Sequence, residues 1–271
     1  MSALPDMDAI KARMKALWMA GDYGTFAKPV ERGAFEIFES WKIPPASRLL
    51  DVACGTGHVA IPAARSGVKV VGIDLATNLL EEARARAAKE GLVVQFDEGD
   101  VEQLPYPDAS FDNVVSMLGA MYAPRPDRAA AELIRVCRPG GRIIMVNWTS
   151  TGCMGQMIKL HAKFMPPTGI PSSTLWGDEA TVQERLRDGV AELRMARRIY
   201  PSFKYPFSVP EFVEFQRQHL GGTGIIFAAL DGEKQTAFRR ELEQLYAVYN
   251  RATDETTALE AEYLEVTAIR G

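Results

Sequence analysis

The residues best suited to chemistry sit in LLDVACGTGHVA, residues 49–60, where an apolar run ends in Asp51 and Gly55 and Gly57 follow. Glycines at such positions let the backbone turn sharply and approach a ligand with no Cβ in the way. A helix opening just after them turns its free N–H groups toward that ligand. Asp74 closes the next apolar run, VKVVGID, and a carboxylate at a strand end can accept both hydroxyls of a ribose. These residue types in this order describe a site for a nucleoside. Gly55-x-Gly57-x-x-Ala60 fits the dinucleotide fingerprint as well as it fits other nucleoside folds, so the loop alone does not choose the ligand.

The other reactive residue types exclude more than they suggest. His58, His161 and His219 form no pair with metal-ligand spacing, so no metal is expected. Cys54, Cys137 and Cys153 are odd in number and contain no C-x-x-C, which fits a reducing compartment and a cytoplasmic protein rather than a disulfide framework. The net charge is −4 with acids and bases interspersed, so no broad nucleic-acid surface is expected. The first residues are amphipathic rather than signal-like, and no apolar stretch reaches membrane-spanning length, so stable membrane insertion is not expected. With 47% hydrophobic residues, the chain can bury a sizeable core.

The elements that must position the glycine loop alternate through the first half. Arg48–Ala53 reads as a strand and His58–Ser66 as a helix; Val68–Ile73 is a second, β-branched strand. Asn78, with Glu81 three residues on, reads as the cap of the next helix. Further strands are expected at Leu92–Glu98, Asp112–Leu118 and Arg142–Trp148, with a helix opened by Asp127 and stopped by RPGG. This alternation implies an α/β fold with a mainly parallel sheet and helices on both faces. From about residue 150 to 198 the pattern is helical, with Met154, Met157, Ile158, His161 and Met165 on one stripe, and RMARRIYPSFKY from Arg194 can form a strand. Ser208 and Glu211 frame a helix start, Asp231–Asn250 reads as a long helix, and Tyr263–Gly271 alternates as a last strand. The expected organisation is one domain: N-terminal helices in 1–42, a core in 43–149, a helical insertion in about 150–200, and C-terminal helices and strands in 201–271.

Three further features act jointly with the glycine loop. EGDVEQLPYPDASFDNVVS places Asp100 after the third strand and Phe111-Asp112 before the fourth; RVCRPGGRIIMV joins a helix, a Pro-Gly-Gly turn and a strand; and the chain closes on a long helix and an alternating strand. Over Leu49–Trp148 the sequence resembles the class I S-adenosylmethionine-dependent methyltransferases, in particular the branch of quinone-biosynthesis and small-molecule methyltransferases. The resemblance implies a Rossmann-like, seven-stranded sheet with an antiparallel last strand and S-adenosyl-L-methionine as cofactor. It implies that the loop from Asp51 to Gly57 curls around the methionyl part, that Asp74 binds the ribose with Leu75 and Asn78 beside the nucleoside, and that Asp100 and the Val101 backbone meet the adenine. Met117 and Leu118 would line the methyl-donor side, and Tyr23, in MAGDYGTFA, would lie near the cofactor carboxylate. Ala53 stands where the family often has glycine. The absence of a third glycine fits a ligand without a pyrophosphate, although a nicotinamide-dependent oxidoreductase and a non-catalytic cofactor-binding protein remain alternatives.

Methyl transfer depends mainly on alignment of nucleophile, methyl and sulfur, so no universal catalytic residue is required. Tyr122, Asn147 and Trp148 fall at the ends of the fourth and fifth strands, the edge where open α/β sheets bind ligands, and are expected on the acceptor side. His161 and Trp176, in the Met- and aromatic-rich insertion, are further candidates for an adaptable roof over a small, partly apolar methyl acceptor.

Overall fold

The computed structural model describes residues 6–165 and 169–271; residues 1–5 of the N-terminal segment and 166–168 of the insertion lie outside the described residues. In chain order it contains α1 (Met7–Met19), α2 (Tyr23–Ala27), α3 (Glu31–Ser40), β1 (Arg48–Val52), α4 (Ala60–Arg65), β2 (Lys69–Asp74), α5 (Thr77–Lys89), β3 (Gln95–Glu98) and β4 (Phe111–Met117). There follow α6 (Pro126–Val136), β5 (Cys137–Trp148), α7 (Cys153–Phe164), α8 (Glu179–Leu186), β6 (Val190–Ile199) and β7 (Lys204–Tyr205). The chain ends with α9 (Val209–His219), α10 (Gly221–Ala229), α11 (Gly232–Tyr249), β8 (Thr257–Ala258) and β9 (Glu262–Arg270).

Seven strands form one sheet in the order β3-β2-β1-β4-β5-β9-β6, and β7 pairs with β8 in a separate ribbon. The pairs β3-β2, β2-β1, β1-β4 and β4-β5 are parallel, whereas β9 runs antiparallel to both β5 and β6. A central parallel strand is covered on both faces, so it reads as a continuous apolar run rather than an alternating one. Leu49, Leu50 and Val52 of β1, and Ile143 to Val146 of β5, are accordingly buried. Helices α3, α4 and α5 pack side by side, and α6 and α8 pack against each other. The first strand of the parallel set, β1, lies at the middle of that set, between β2 and β4. The chain therefore reverses its direction of winding between β3 and β4, which opens a crevice at the C-terminal ends of β1 and β4.

Several sequence expectations shift. The third strand starts at Gln95, not Leu92, and α4 starts at Ala60, not His58. Asn78 does not cap α5: the helix starts at Thr77, Asn78 lies in its first turn, and the Ala76 N–H donates to Asp74 Oδ1 at 2.8 Å. No side chain caps α5; the strand-end carboxylate of Asp74 instead fixes the backbone of Ala76, the residue just before the helix. The RPGG turn lies inside the span of β5, where the register against β4 jumps between Phe111–Cys137 and Asn113–Arg142. The strand expected from Arg194 is β6, which starts earlier, at Val190, and ends at Ile199. Val190, Leu193, Met195 and Ala196 of this edge strand are half-buried and the other positions, most of them charged, are exposed, so its pattern is weak. Helices therefore leave the sheet twice, once between β5 and β6 and again between β6 and β9. Ser208 and Glu211 do frame α9, with the Ser208 N–H donating to Glu211 Oε2 at 2.9 Å.

Gly33 in the first turn of α3 fixes how that helix meets the rest of the molecule. Alanine is favoured over glycine in a helix interior by about 1 kcal/mol. At this position, however, a Cβ would run into the Pro201 carbonyl oxygen and the Tyr200 ring. Gly33→Ala is therefore expected to destabilise the protein by about 1–3 kcal/mol, against the helical preference. Urea denaturation of the purified variant tests this, and a gain in stability would show that α3 is not held against Tyr200 so closely.

Candidate functional site

The loop after β1 is shaped by backbone conformation first. Ala53, Gly55 and Gly57 have φ of 55°, 52° and 84°, the left-handed region that glycine enters without cost. Ala53 enters it at a cost of roughly 1–2 kcal/mol. Its place is set by packing: a Cβ on Gly119, just after β4, would come within 2.5 Å of the Ala53 Cβ. The ends of β1 and β4 therefore meet through two small residues, which form a floor. Two carboxylates collect the N–H groups that the turn leaves without strand partners. Asp51 Oδ2 accepts from the Ala60 N–H at 2.9 Å, and Asp74 Oδ2 accepts from the Gly55 N–H at 2.8 Å.

Both carboxylates are affected by burial. Asp51 is 1% exposed, and its carboxyl is pushed up to about 8, mainly by desolvation, with the charge of Asp74 adding to the effect and the Ala60 N–H opposing it. The Asp74 carboxyl is also raised by burial, against the N–H groups of Ala76 and Gly55. Nearby, the Tyr23 hydroxyl is pushed up to about 12 by burial and then by Asp74, so it remains a proton donor.

One cavity runs from this loop across the sheet edge. At one end its wall contains Asp51, Ala53, Gly55, Asp74, Leu75, Asp100 and Val101, and it continues past Met117 and Leu118 to Tyr122 and Trp148, with Tyr23 closing over it. Asp100 Oδ1 accepts from the Glu102 N–H at 2.9 Å, and its other oxygen pairs with Lys11 of α1. Trp18 of α1 stands edge-on to Tyr23 and Tyr122, with ring centroids 5.9 and 5.0 Å apart. The far wall is apolar: Trp148, Tyr200 and Phe203 form a cluster with centroids 5.6–6.1 Å apart, joined by Met154 and Met157.

Five sequence-predicted residues do not line this cavity. Gly57 makes the turn, where a Cβ would press on Ile61 at 3.1 Å. Asn78 reaches across to the Met19 carbonyl at 3.5 Å. Asn147 is buried beside Trp148, and Trp176 is buried under the Arg185 guanidinium, 4.7 Å from the ring centroid. His161 packs against Phe238 with Nε2 3.3 Å from Thr223 Oγ1, and burial holds it down to about 4. The Met-rich stripe of α7 thus divides, with Met154 and Met157 facing the cavity and His161 facing α10 and α11.

Sequence reasoning missed Lys11, Trp18, Glu31, His58, Tyr200, Phe203 and Gln216 on the wall. His58 Nδ1 lies 3.4 Å from Thr56 Oγ1 and its Nε2 4.0 Å from Glu31 Oε1, and burial, with Lys28 adding, lowers it to about 4. Glu31 also pairs with Arg86, whose Nη1 donates to the Thr56 carbonyl at 2.9 Å. A signal existed for Trp18, which adjoins the MAGDYGTFA segment. Another existed for Gln216, a polar residue at helical spacing from Phe212 and Val213. Neither carried a motif. Among the described residues no group of three His, Cys, Asp or Glu is arranged to hold a metal ion, and no helix is long and apolar enough to cross a membrane.

A glycine loop and two acidic strand ends on the crevice of a parallel sheet define a nucleoside-binding α/β site, and the comparisons narrow it. Residues 50–145 match the methyltransferase domain family. An uncharacterized protein of Mycobacterium tuberculosis is 36% identical over 271 residues, covering 96% of this chain and 94% of the relative. Demethylmenaquinone methyltransferase of Deinococcus radiodurans is 37% identical over 124 residues, 44% of this chain and 52% of that one. A Haemonchus contortus phosphoethanolamine N-methyltransferase, solved with S-adenosyl-L-methionine, shares the fold with a TM-score of 0.57 at 19% identity, covering 86% of this chain and 52% of that one. The chain belongs to the class I S-adenosylmethionine-dependent methyltransferases.

The site fits that cofactor on its own observations. A Cβ at Gly55 would meet nothing within 4 Å, so the loop leaves open space on the cavity side. Each Asp74 oxygen accepts one backbone N–H and retains a lone pair for a hydroxyl donor.

The Asp51 carboxyl gives a pH signature in the ligand-free protein. An unfolded aspartate titrates near 4, so between about pH 4 and pH 8 the folded state keeps a proton that the unfolded state has released. Stability from this group therefore falls as pH rises through that window. Asp51→Asn keeps an oxygen for the Ala60 N–H and carries no titrating proton. Its stability relative to the wild type is expected to improve from pH 5 to pH 8 in parallel denaturation series, and a constant difference would refute the raised carboxyl.

Proposed function

We propose that the protein transfers a methyl group from S-adenosyl-L-methionine to a small, partly apolar molecule. One observation carries this reading: a single cavity joins the acidic, glycine-bearing edge to an aromatic and methionine wall. When bound, the cofactor supplies a methyl group on a positively charged sulfur, open to in-line displacement. In our reading the loop from Asp51 to Gly57 holds the methionyl part, Asp74 the ribose, and Asp100 with the Val101 backbone the adenine. Leu75 flanks the nucleoside, Tyr23 stands near the cofactor carboxylate, and Met117 and Leu118 line the methyl side.

The remaining residues orient the acceptor and exclude water. Tyr122 and Trp148 form the acceptor wall, and Met154 and Met157 give it a surface that repacks easily around an apolar ligand. His58 is the one histidine of the three on the cavity wall; held neutral by burial beside Glu31, it is placed to take a proton from an acceptor that arrives protonated. The N-terminal helices within 1–42 serve as a lid over the core of 43–149, with the chain from about 150 onward completing the roof. The match to a demethylmenaquinone methyltransferase supports a ring-bearing acceptor rather than a nucleic acid. Three buried, unpaired cysteines support a cytoplasmic setting.

Two measurements test the reading. Asp74→Ala is expected to weaken S-adenosylhomocysteine binding by about 1.5–3 kcal/mol, the range for hydrogen bonds to a charged group. Calorimetry reads this, with thermal melting to show that the variant is folded; unchanged affinity removes the ribose assignment. Incubation with labelled S-adenosylmethionine and either a metabolite extract, a lipid extract or RNA is expected to label the metabolite or lipid fraction. Label confined to RNA would overturn the small-molecule acceptor.

A further inference from the structure

Gln216 of α9 is only 1% exposed, yet it forms part of the cavity wall. It lies on the buried stripe of its helix with Phe212 and Val213, where an apolar residue would ordinarily stand. Its amide is held from behind: Oε1 accepts a hydrogen bond from the buried Tyr246 hydroxyl at 2.9 Å, and Nε2 lies 3.2 Å from Met157 Sδ. A thioether has no proton to give, so the end of the amide facing Met157 is the nitrogen. The orientation follows from that chemistry.

The nitrogen carries two N–H donors, and a thioether is a weak acceptor for one of them. The second has no protein acceptor among the described residues. Burying an amide donor without a partner costs on the order of 1–3 kcal/mol, so the arrangement calls for an acceptor from outside the chain. The surroundings state what kind of molecule would bring it. Trp148, Tyr200, Phe203 and Leu220 supply ring faces and aliphatic surface, and the Tyr200 hydroxyl is already directed to the Val30 carbonyl at 3.3 Å.

We infer that Gln216 selects the methyl acceptor by donating a hydrogen bond to an oxygen on a planar apolar ring, a carbonyl or an aromatic oxygen. This rests on the reading of the cavity as a methyl-acceptor site. It adds a polar anchor that fixes the ring within its plane, so that one edge of the molecule is turned toward the methyl donor. Neither a saturated hydrocarbon nor a purely cationic ligand satisfies this donor.

The test uses the full-length protein saturated with S-adenosylhomocysteine and two probes that differ by one carbonyl, 1-tetralone and tetralin. Binding is read by quenching of tryptophan fluorescence. The wild type is expected to bind 1-tetralone about tenfold more tightly than tetralin, the range of one hydrogen bond to a buried donor. Gln216→Leu is expected to close that gap by weakening 1-tetralone alone, with S-adenosylhomocysteine affinity unchanged. Because this change strands the Tyr246 hydroxyl, Gln216→Leu combined with Tyr246→Phe repeats the measurement without an orphaned group. Equal binding of the two probes to the wild type, or a gap that persists in both variants, overturns the role of Gln216 and leaves the apolar acceptor cavity standing. Failure of both probes to bind, with S-adenosylhomocysteine still bound, overturns the acceptor reading as well.

Discussion

The Asp74 carboxylate at the end of β2 is the interaction on which the site edge depends. One oxygen receives the Gly55 N–H from the loop after β1, and the other receives the Ala76 N–H at the start of α5. A tight loop with left-handed residues turns its N–H groups out of the strand ladder, and buried N–H groups need acceptors. Asp74 meets that need for two neighbouring segments at once, so the glycine loop and the first turn of α5 have a common reference point. Asp51 performs the same service for the Ala60 N–H at the entrance to α4. The residues that line the cavity at this edge are the same ones that keep its backbone satisfied.

Charge extends this order to the N-terminal helix. Lys11 of α1 pairs with both Asp100 and Glu102, and Lys15 pairs with Glu98 at the end of β3. The Glu102 side chain is fully buried and also receives the Arg125 N–H and guanidinium at 2.6 and 2.7 Å. An unpaired buried carboxylate would be costly, so Glu102 requires its partners as much as they require it. On the other side α1 is pressed against α10, where a Cβ at Gly221 would run into the carbonyl of Leu17. The first helix is therefore held between an acidic strand edge and the later helices, and its Trp18 reaches the cavity wall as a consequence.

The cavity divides by polarity. Its glycine-loop end offers carboxylates and backbone groups, whereas its far end offers rings, thioethers and a single oriented amide. Reactions that proceed by alignment gain from such a division, because each ligand is held by the chemistry it can match while water is kept from the junction. Burial moves the titration of both His58 and Tyr23 further from neutrality, the imidazole downward and the phenol upward, so neither group brings a charge to the junction at neutral pH.

Much of this was readable in the residues alone. The alternation of apolar runs with helical stripes established a parallel sheet, because strands buried on both faces and helices buried on one leave different periods. Asp51, Gly55, Asp74 and Asp100 were legible because backbone turns and strand ends place strict demands on residue type within a few positions. What remained hidden depended on partners distant in sequence. The start of β6 was obscured because an edge strand need not alternate cleanly, and Asn78 was read as a cap because nothing local shows that the helix already begins at Thr77. His161 and Met157 share a helical stripe in the sequence, but only the packing of α7 between the cavity and α11 sends one inward and the other toward Phe238. Lys11 and Gln216 meet partners 89 and 30 residues away. Local pattern records the period of burial, whereas the identity of the group on the other side of a contact is decided only when the tertiary fold brings it there.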